Sequence, residues 1–193
     1  MTESVRTNLQ ALEARLDEIR AAPEDLGTLE LIVRRPAENE REILNQARLD
    51  VTSGLEGDGW SSSRPPGMSG PDPEAQLTVM NARAANVVAG ARDRWALAGD
   101  QLYVDFDISQ ANLPPGARVR IGAEAVIEFS AKPHTGCEKF SGRFGLDALK
   151  FVSTTTGKQL RLRGANCRVV VSGLIQTGDV VRKLPEAAPG SRR

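Results

Sequence analysis

Two runs of alternating apolar and polar residues, separated by a proline turn, constrain this chain more than any other stretch. In QLYVDFDIS, Leu102, Val104, Phe106 and Ile108 alternate with the residues between them, the mark of a strand wet on one face. Leu113-Pro114-Pro115-Gly116 turns the chain. Residues 117–131 then read as one long or two short strands, with Val119, Ile121, Ala125, Ile127 and Phe129 on one side.

Further strands are expected at TLELIVRR, ended by Pro36, at LTVM before Asn81, and at QLRLRGANCRVVV, broken at Gly164. A last strand is expected at IQTGDVVRKL. Thr156-Gly157-Lys158 reads as a hairpin-like turn, and ENEREILNQARLD is short, charged and open to a helical reading. Val5, Leu9, Leu12, Leu16 and Ile19 fall on one face of a helix that Pro23 must stop. NARAANVVAGARDRW has helical composition until Gly90, and LDALKFV continues a helical spacing of Phe140, Phe144, Ala148 and Phe151. Seven or eight strands with two or three helices, and no sustained strand–helix alternation, predict a mainly β, mostly antiparallel barrel with attached helices (α+β). The expected division is an N-terminal helix over 1–26, one main domain over 27–185 and a disordered tail over 186–193. Residues 61–73, SSSRPPGMSGPDP, are expected to form a mobile surface loop.

Composition excludes several functions. With 25 basic against 25 acidic residues, nothing global draws the chain to nucleic acid or an anionic membrane. No apolar run spans a bilayer and MTESVRTNLQ has no signal-peptide character, so a cytoplasmic protein is expected. No GxGxxG or GxxxxGK[ST] follows a strand, which argues against a Rossmann cofactor and nucleotide hydrolysis. The single histidine and two cysteines lack the paired spacing of a closed zinc site.

The chemistry concentrates in AKPHTGCEKFSGRFG, residues 131–145. Cys137 follows His134 by three positions and lies between Lys132 and Lys139, where positive charge favours the thiolate. Pro133, Gly136 and Gly142 make the segment a shaped loop, the usual carrier of reactive groups. Cys167, beside Val169 and Val171, reads as a buried structural thiol. Three Gly-Asp pairs, Gly57-Asp58, Gly99-Asp100 and Gly178-Asp179, read as turns.

In their order, the pieces GLEGDGW, MNARAANVV, RWALAGDQLYVDFDIS, LPPGARVRIG, AKPHTGCEKFSGRFG, RLRGANCRVVVSG and TGDVV resemble a MOSC domain over residues 29–184. That family is named for the C-terminal part of molybdenum cofactor sulfurases and includes amidoxime-reducing proteins and small stand-alone bacterial ones. The resemblance implies a β-barrel-like fold and a molybdenum cofactor (molybdopterin), with Cys137 as thiolate ligand of the metal. It implies reduction of N-hydroxylated small molecules with electrons from a separate donor protein. Alternatively, Cys137 carries a persulfide between a sulfur-donor protein and a cofactor or metal centre, or the domain is a scaffold without turnover. Arg163 matches the family's Arg-Gly position. Asn166, Asn81, Arg83, Lys139, Arg143 and Thr135 are the further candidates to hold the pterin and its phosphate, and His134 to fix the loop or tune the thiol. Pyridoxal phosphate is associated with the family as a whole, but this chain has no Schiff-base lysine domain of the cysteine desulfurase kind.

Overall fold

In the computed structural model, which describes residues 8–185, both alternating runs become strands of a sheet that closes on itself. The chain enters through two short helices, α1 (Leu9–Glu13) and α2 (Leu16–Arg20), then lays down β1 (Leu26–Arg34), β2 (Glu42–Leu44), β3 (Gln46–Asp50) and β4 (Gly54–Leu55). A crossover follows: β5 (Leu77–Asn81), α3 (Ala82–Ala89), a 3-10 helix (Arg92–Ala98) and β6 (Leu102–Asp105). The hairpin of β7 (Arg118–Ile121) and β8 (Ala125–Phe129) leads into α4 (Glu138–Phe144), α5 (Leu146–Ser153) and α6 (Thr155–Gln159). Finally come β9 (Ala165–Val171), β10 (Gly173–Gln176) and β11 (Val180–Lys183).

Seven strands run in the order β11-β7-β8-β9-β5-β6-β1, and β11 pairs back onto β1 to close a barrel, with β2 added to the far end of β1. Every pairing is antiparallel except β5 with β6, the two strands joined by the α3 crossover. β10, β3 and β4 form a separate small sheet. The mainly antiparallel barrel with attached helices is therefore the fold the alternation predicts.

The barrel interior is filled by Val119, Ile121, Ala125, Ile127 and Phe129, as their spacing predicts, with Leu29, Val104, Val169 and Val181 from neighbouring strands. A second apolar layer lies between one wall of the barrel and the helices. β1 serves both layers, and its register shifts between Leu29 and Leu31. The extra residue resets the alternation, so Leu29 and Ile32 point into the barrel while Leu31 and Val33 face the helices.

Several local expectations are corrected. β6 is not wet on one face: Tyr103 is fully buried, stacks on Trp95 with ring centroids 6.1 Å apart and donates to the Trp95 carbonyl at 2.7 Å. The helical layer covers that face. The charged segment after Pro36 is not helical but becomes β2 and β3, because β1 and β10 offer free edges to pair with. Thr156-Gly157-Lys158 lies in α6 instead of a hairpin. The Thr154 hydroxyl accepts the Gly157 N–H at 2.9 Å, and Gly157 packs so tightly that a Cβ would meet the Phe151 carbonyl at 2.5 Å. The last expected strand is two, β10 and β11, parted by a turn at Gly178.

The N-terminal stripe is also divided. Leu9, Leu12, Leu16 and Ile19 all pack into the helical layer, but the helix breaks between Glu13 and Leu16. Val5 of that stripe and the tail expected over 186–193 lie outside the described residues. No described helix is long and apolar enough to cross a membrane.

Candidate functional site

The site begins where β8 releases the chain. The Ser130 N–H donates to the Asn166 carbonyl at 2.9 Å, and the Asn166 side-chain amide donates to the carbonyls of Lys132 and Pro133, both at 3.2 Å. One asparagine on β9 thus clasps the loop from two directions. Gly136 lets the loop lie on α5, since a Cβ there would stand 2.5 Å from a Leu149 methyl. Cys137 follows at the head of α4, exposed, with its carbonyl accepting from Phe140 and Ser141. Cys167 is fully buried in the barrel, and that burial pushes its thiol pKa far up, so of the two thiols Cys137 is the accessible one.

His134 turns inward. Its Nδ1 stands 3.4 Å from Oδ1 of Asp100, a carboxylate with no solvent exposure. The other Asp100 oxygen accepts Arg163 Nη1 at 2.6 Å, while Arg163 Nη2 donates to the Ala98 carbonyl at 2.9 Å and its guanidinium lies 5.0 Å from the centre of the Phe140 ring. Gly164 makes the cluster possible: with φ at 107°, a Cβ there would stand 2.8 Å from the Val79 carbonyl and 2.9 Å from Asp100 Oδ1. Burial, and then the charge of Arg163, lower the His134 pKa to about 4 against the opposing pull of Asp100. The imidazole is therefore neutral at pH 7. Asp100 Oδ1, His134 Nδ1 and Arg163 Nε are all buried without a hydrogen-bond partner among the described residues, an uncommon concentration of unmet polarity.

Two cavities flank this loop. The first, of about 470 Å³, is lined by residues 130–136 with Arg161, Arg163, Gly164 and Asn166. The second, of about 460 Å³, is lined by Arg35, Arg41, Asp58 and Trp60 with Lys139 and Arg143 from α4. In the chain, Cys137 separates Gly136, a wall of the first, from Lys139, a wall of the second.

The structure brings His134, Thr135, Arg163 and Asn166 to the first cavity, and Lys139 and Arg143 to the second. Asn81 and Arg83 line neither. Asn81 caps α3, accepting from Arg83 N–H at 2.8 Å and donating to the Phe106 carbonyl at 3.0 Å. Arg83 pairs with Asp105 at 2.6 Å. The positive charge expected around the thiol is largely compensated: Lys132 pairs with Asp72, Lys139 with Glu38, and His134 is uncharged. Sequence reasoning missed Asp100 and Asp58. Both belong to the Gly-Asp pairs read as turns, and both are buried against arginines, Asp100 on Arg163 and Asp58 on Arg35. The recurrence of that dipeptide was the available signal.

A single thiolate cannot hold a bare metal ion, and the described residues contain no cluster of three or more metal-ligating side chains. A metal carried by its own organic ligand needs only one protein sulfur. His134, Arg161, Arg163 and Asn166 line the adjoining cavity, and unpartnered polar atoms of His134 and Arg163 lie just behind its wall, so the residues present fit such a group.

No curated protein matches this sequence. Among solved structures, YuaD of Bacillus subtilis is 15% identical, with a TM-score of 0.59, covering 81% of this chain and 94% of its own. YiiM of Escherichia coli is 17% identical, with a TM-score of 0.54, covering 83% and 71%. YiiM of Geobacillus stearothermophilus is 13% identical, with a TM-score of 0.52, covering 84% and 75%. At these identities the likeness is one of fold. The family model for the MOSC domain matches residues 72–182, from the turn before β5 to the closing strand β11 and through the whole Cys137 loop; this chain belongs to the MOSC domain family.

Proposed function

We propose that this protein binds the molybdenum cofactor, with the Cys137 thiolate as the chain's own ligand to molybdenum, and reduces N-hydroxylated small molecules. The MOSC family is linked with molybdenum cofactor binding and sulfurase-type function. The observation that carries the reading is an exposed thiol next in the chain to Gly136, a wall of the cavity onto which His134, Arg163 and Asn166 face, with unpartnered polar atoms of His134 and Arg163 buried behind it. When bound, the cofactor supplies a metal able to exchange two electrons. Removing the hydroxyl from an N–OH group consumes two electrons and two protons and releases water, and the electrons come from a separate donor protein.

This chain's residues would orient the ligand and handle protons. Asn166 keeps the loop in place, and Gly164 leaves room for His134 to stand beside Asp100. Neutral His134 carries its one proton best on Nδ1, facing the carboxylate, which leaves Nε2 as a proton acceptor. Arg163 holds Asp100 in place through their 2.6 Å hydrogen bond, so it supports the site from beneath through that pair.

A second reading has its own support. Cys137 is exposed, which suits a persulfide passed to another protein better than a sealed metal centre. Purification without oxygen from a host that makes molybdopterin separates the two. Molybdenum, pterin and cyanide-labile sulfur are measured in wild type and Cys137→Ser. Molybdenum and pterin stoichiometric with the chain and lost in the variant are expected; labile sulfur without metal would transfer the assignment to the carrier, and neither would leave a scaffold.

A further inference from the structure

The second cavity carries an imbalance of charge. Four cations, Arg35, Arg41, Lys139 and Arg143, line it with two carboxylates, Glu38 and Asp58. Both carboxylates are already engaged. Glu38 pairs with Lys139, and Asp58 accepts from the Arg35 backbone and guanidinium, the Trp60 N–H and Gln101.

Arg41 and Arg143 meet no carboxylate among the described residues. Arg41 donates to the carbonyls of Glu40 at 2.8 Å and Ala96 at 3.3 Å; Arg143 donates to the Leu97 carbonyl at 2.8 Å and the Asn39 side-chain oxygen at 3.3 Å. These neutral acceptors orient the guanidiniums without cancelling their charge. The two converge beside Gly99, where a Cβ would stand in ordinary contact with both, 3.7 Å from Arg41 Nη2 and 3.8 Å from Arg143 Nη1. Burial, then repulsion from Arg143 and Arg35, lowers the Arg41 pKa, so the protein holds like charges together at a cost. An anion between them converts that repulsion into paired, charge-assisted hydrogen bonds.

The surroundings favour one kind of anion. Trp60 presents a flat wall, fixed by its indole N–H on the Asp72 carbonyl at 3.0 Å, and a cavity of about 460 Å³ exceeds the needs of a bare inorganic ion. We propose that this groove is a binding site for a phosphomonoester, with the phosphate between Arg41 and Arg143 and the organic group against Trp60. The site does not depend on the chemistry of Cys137.

Calorimetric titration of the full chain, produced in a host that makes no molybdopterin, with phenyl phosphate, and separately with inorganic phosphate, tests this; pterin content is measured on the same variants from a host that makes it. Saturable binding of phenyl phosphate is expected, weakened at least about tenfold in Arg41→Ala and in Arg143→Ala and falling as salt is added. Arg41→Lys and Arg143→Lys keep the charge but lose the fork, so they should bind between wild type and the alanine variants, and they serve if an alanine variant fails to fold. Trp60→Ala should weaken phenyl phosphate and spare inorganic phosphate. Cys137→Ala should bind as wild type does, which keeps this result separate from the molybdenum reading. Pterin content of the arginine variants identifies the source of the ester: loss of pterin with loss of phenyl phosphate means the cofactor's own phosphate, and retained pterin means a different ligand. No saturable binding by wild type, or folded arginine variants that bind equally well, overturns the site; equal affinity for both probes overturns the ester.

Discussion

A buried histidine beside a buried carboxylate ties the candidate site to the stability of the protein. Free imidazole titrates near 6.5, whereas burial and Arg163 hold His134 near 4. Between those values the unfolded chain takes up a proton that the native chain refuses, so this contribution is full above about pH 6.5 and is lost as pH falls through 4. The gap corresponds to about 3 kcal/mol. Urea midpoints of wild type should therefore fall between pH 7 and pH 4, and His134→Gln should lose most of that slope; equal slopes would refute the assignment. At this scale Cys137 and His134 were legible because each is scarce and both sit in a loop rich in proline and glycine. Asp100 was not, because the partner that buries it, Arg163, is 63 residues away in sequence. The Gly-Asp dipeptide marks the position, but only the distant arginine distinguishes such an aspartate from one in a solvated turn.

Among the elements, β9 and the turn before it hold the site together. Arg163, Gly164 and Asn166 come in four consecutive residues and respectively pair Asp100, admit the cluster and clasp the loop. Gly164→Ala places a methyl against the Val79 carbonyl in a left-handed backbone, and should destabilise the protein by roughly 2–4 kcal/mol in denaturant titration. A change under about 0.5 kcal/mol would mean that the turn relaxes freely. The strands β7 and β8 were readable from period-two alternation alone, since one face meets the barrel interior. β2 and β3 were not, because their charged sequence owes its extended form to the edges of β1 and β10. α6 was misread for a related reason: Gly157 serves a close helix contact, and a glycine after three threonines looks the same in a turn.

Across the whole molecule, the closed barrel and the helical layer share β1, whose two faces belong to different cores. α1 and α2 join the second core through Leu12 and Ile19, so they should unfold with the barrel. Leu12→Ala should cost about 2–5 kcal/mol and keep a single transition by fluorescence and circular dichroism. An early separate transition, with the barrel unaffected, would mark the N-terminal helices as an independent appendage. Closure of the barrel joins Leu26 to Arg182, nearly opposite ends of the described chain. During synthesis, the first strand must wait with an unsatisfied hydrogen-bonding edge until the final strand emerges. Slow maturation and reliance on chaperones are the expected results of that long wait.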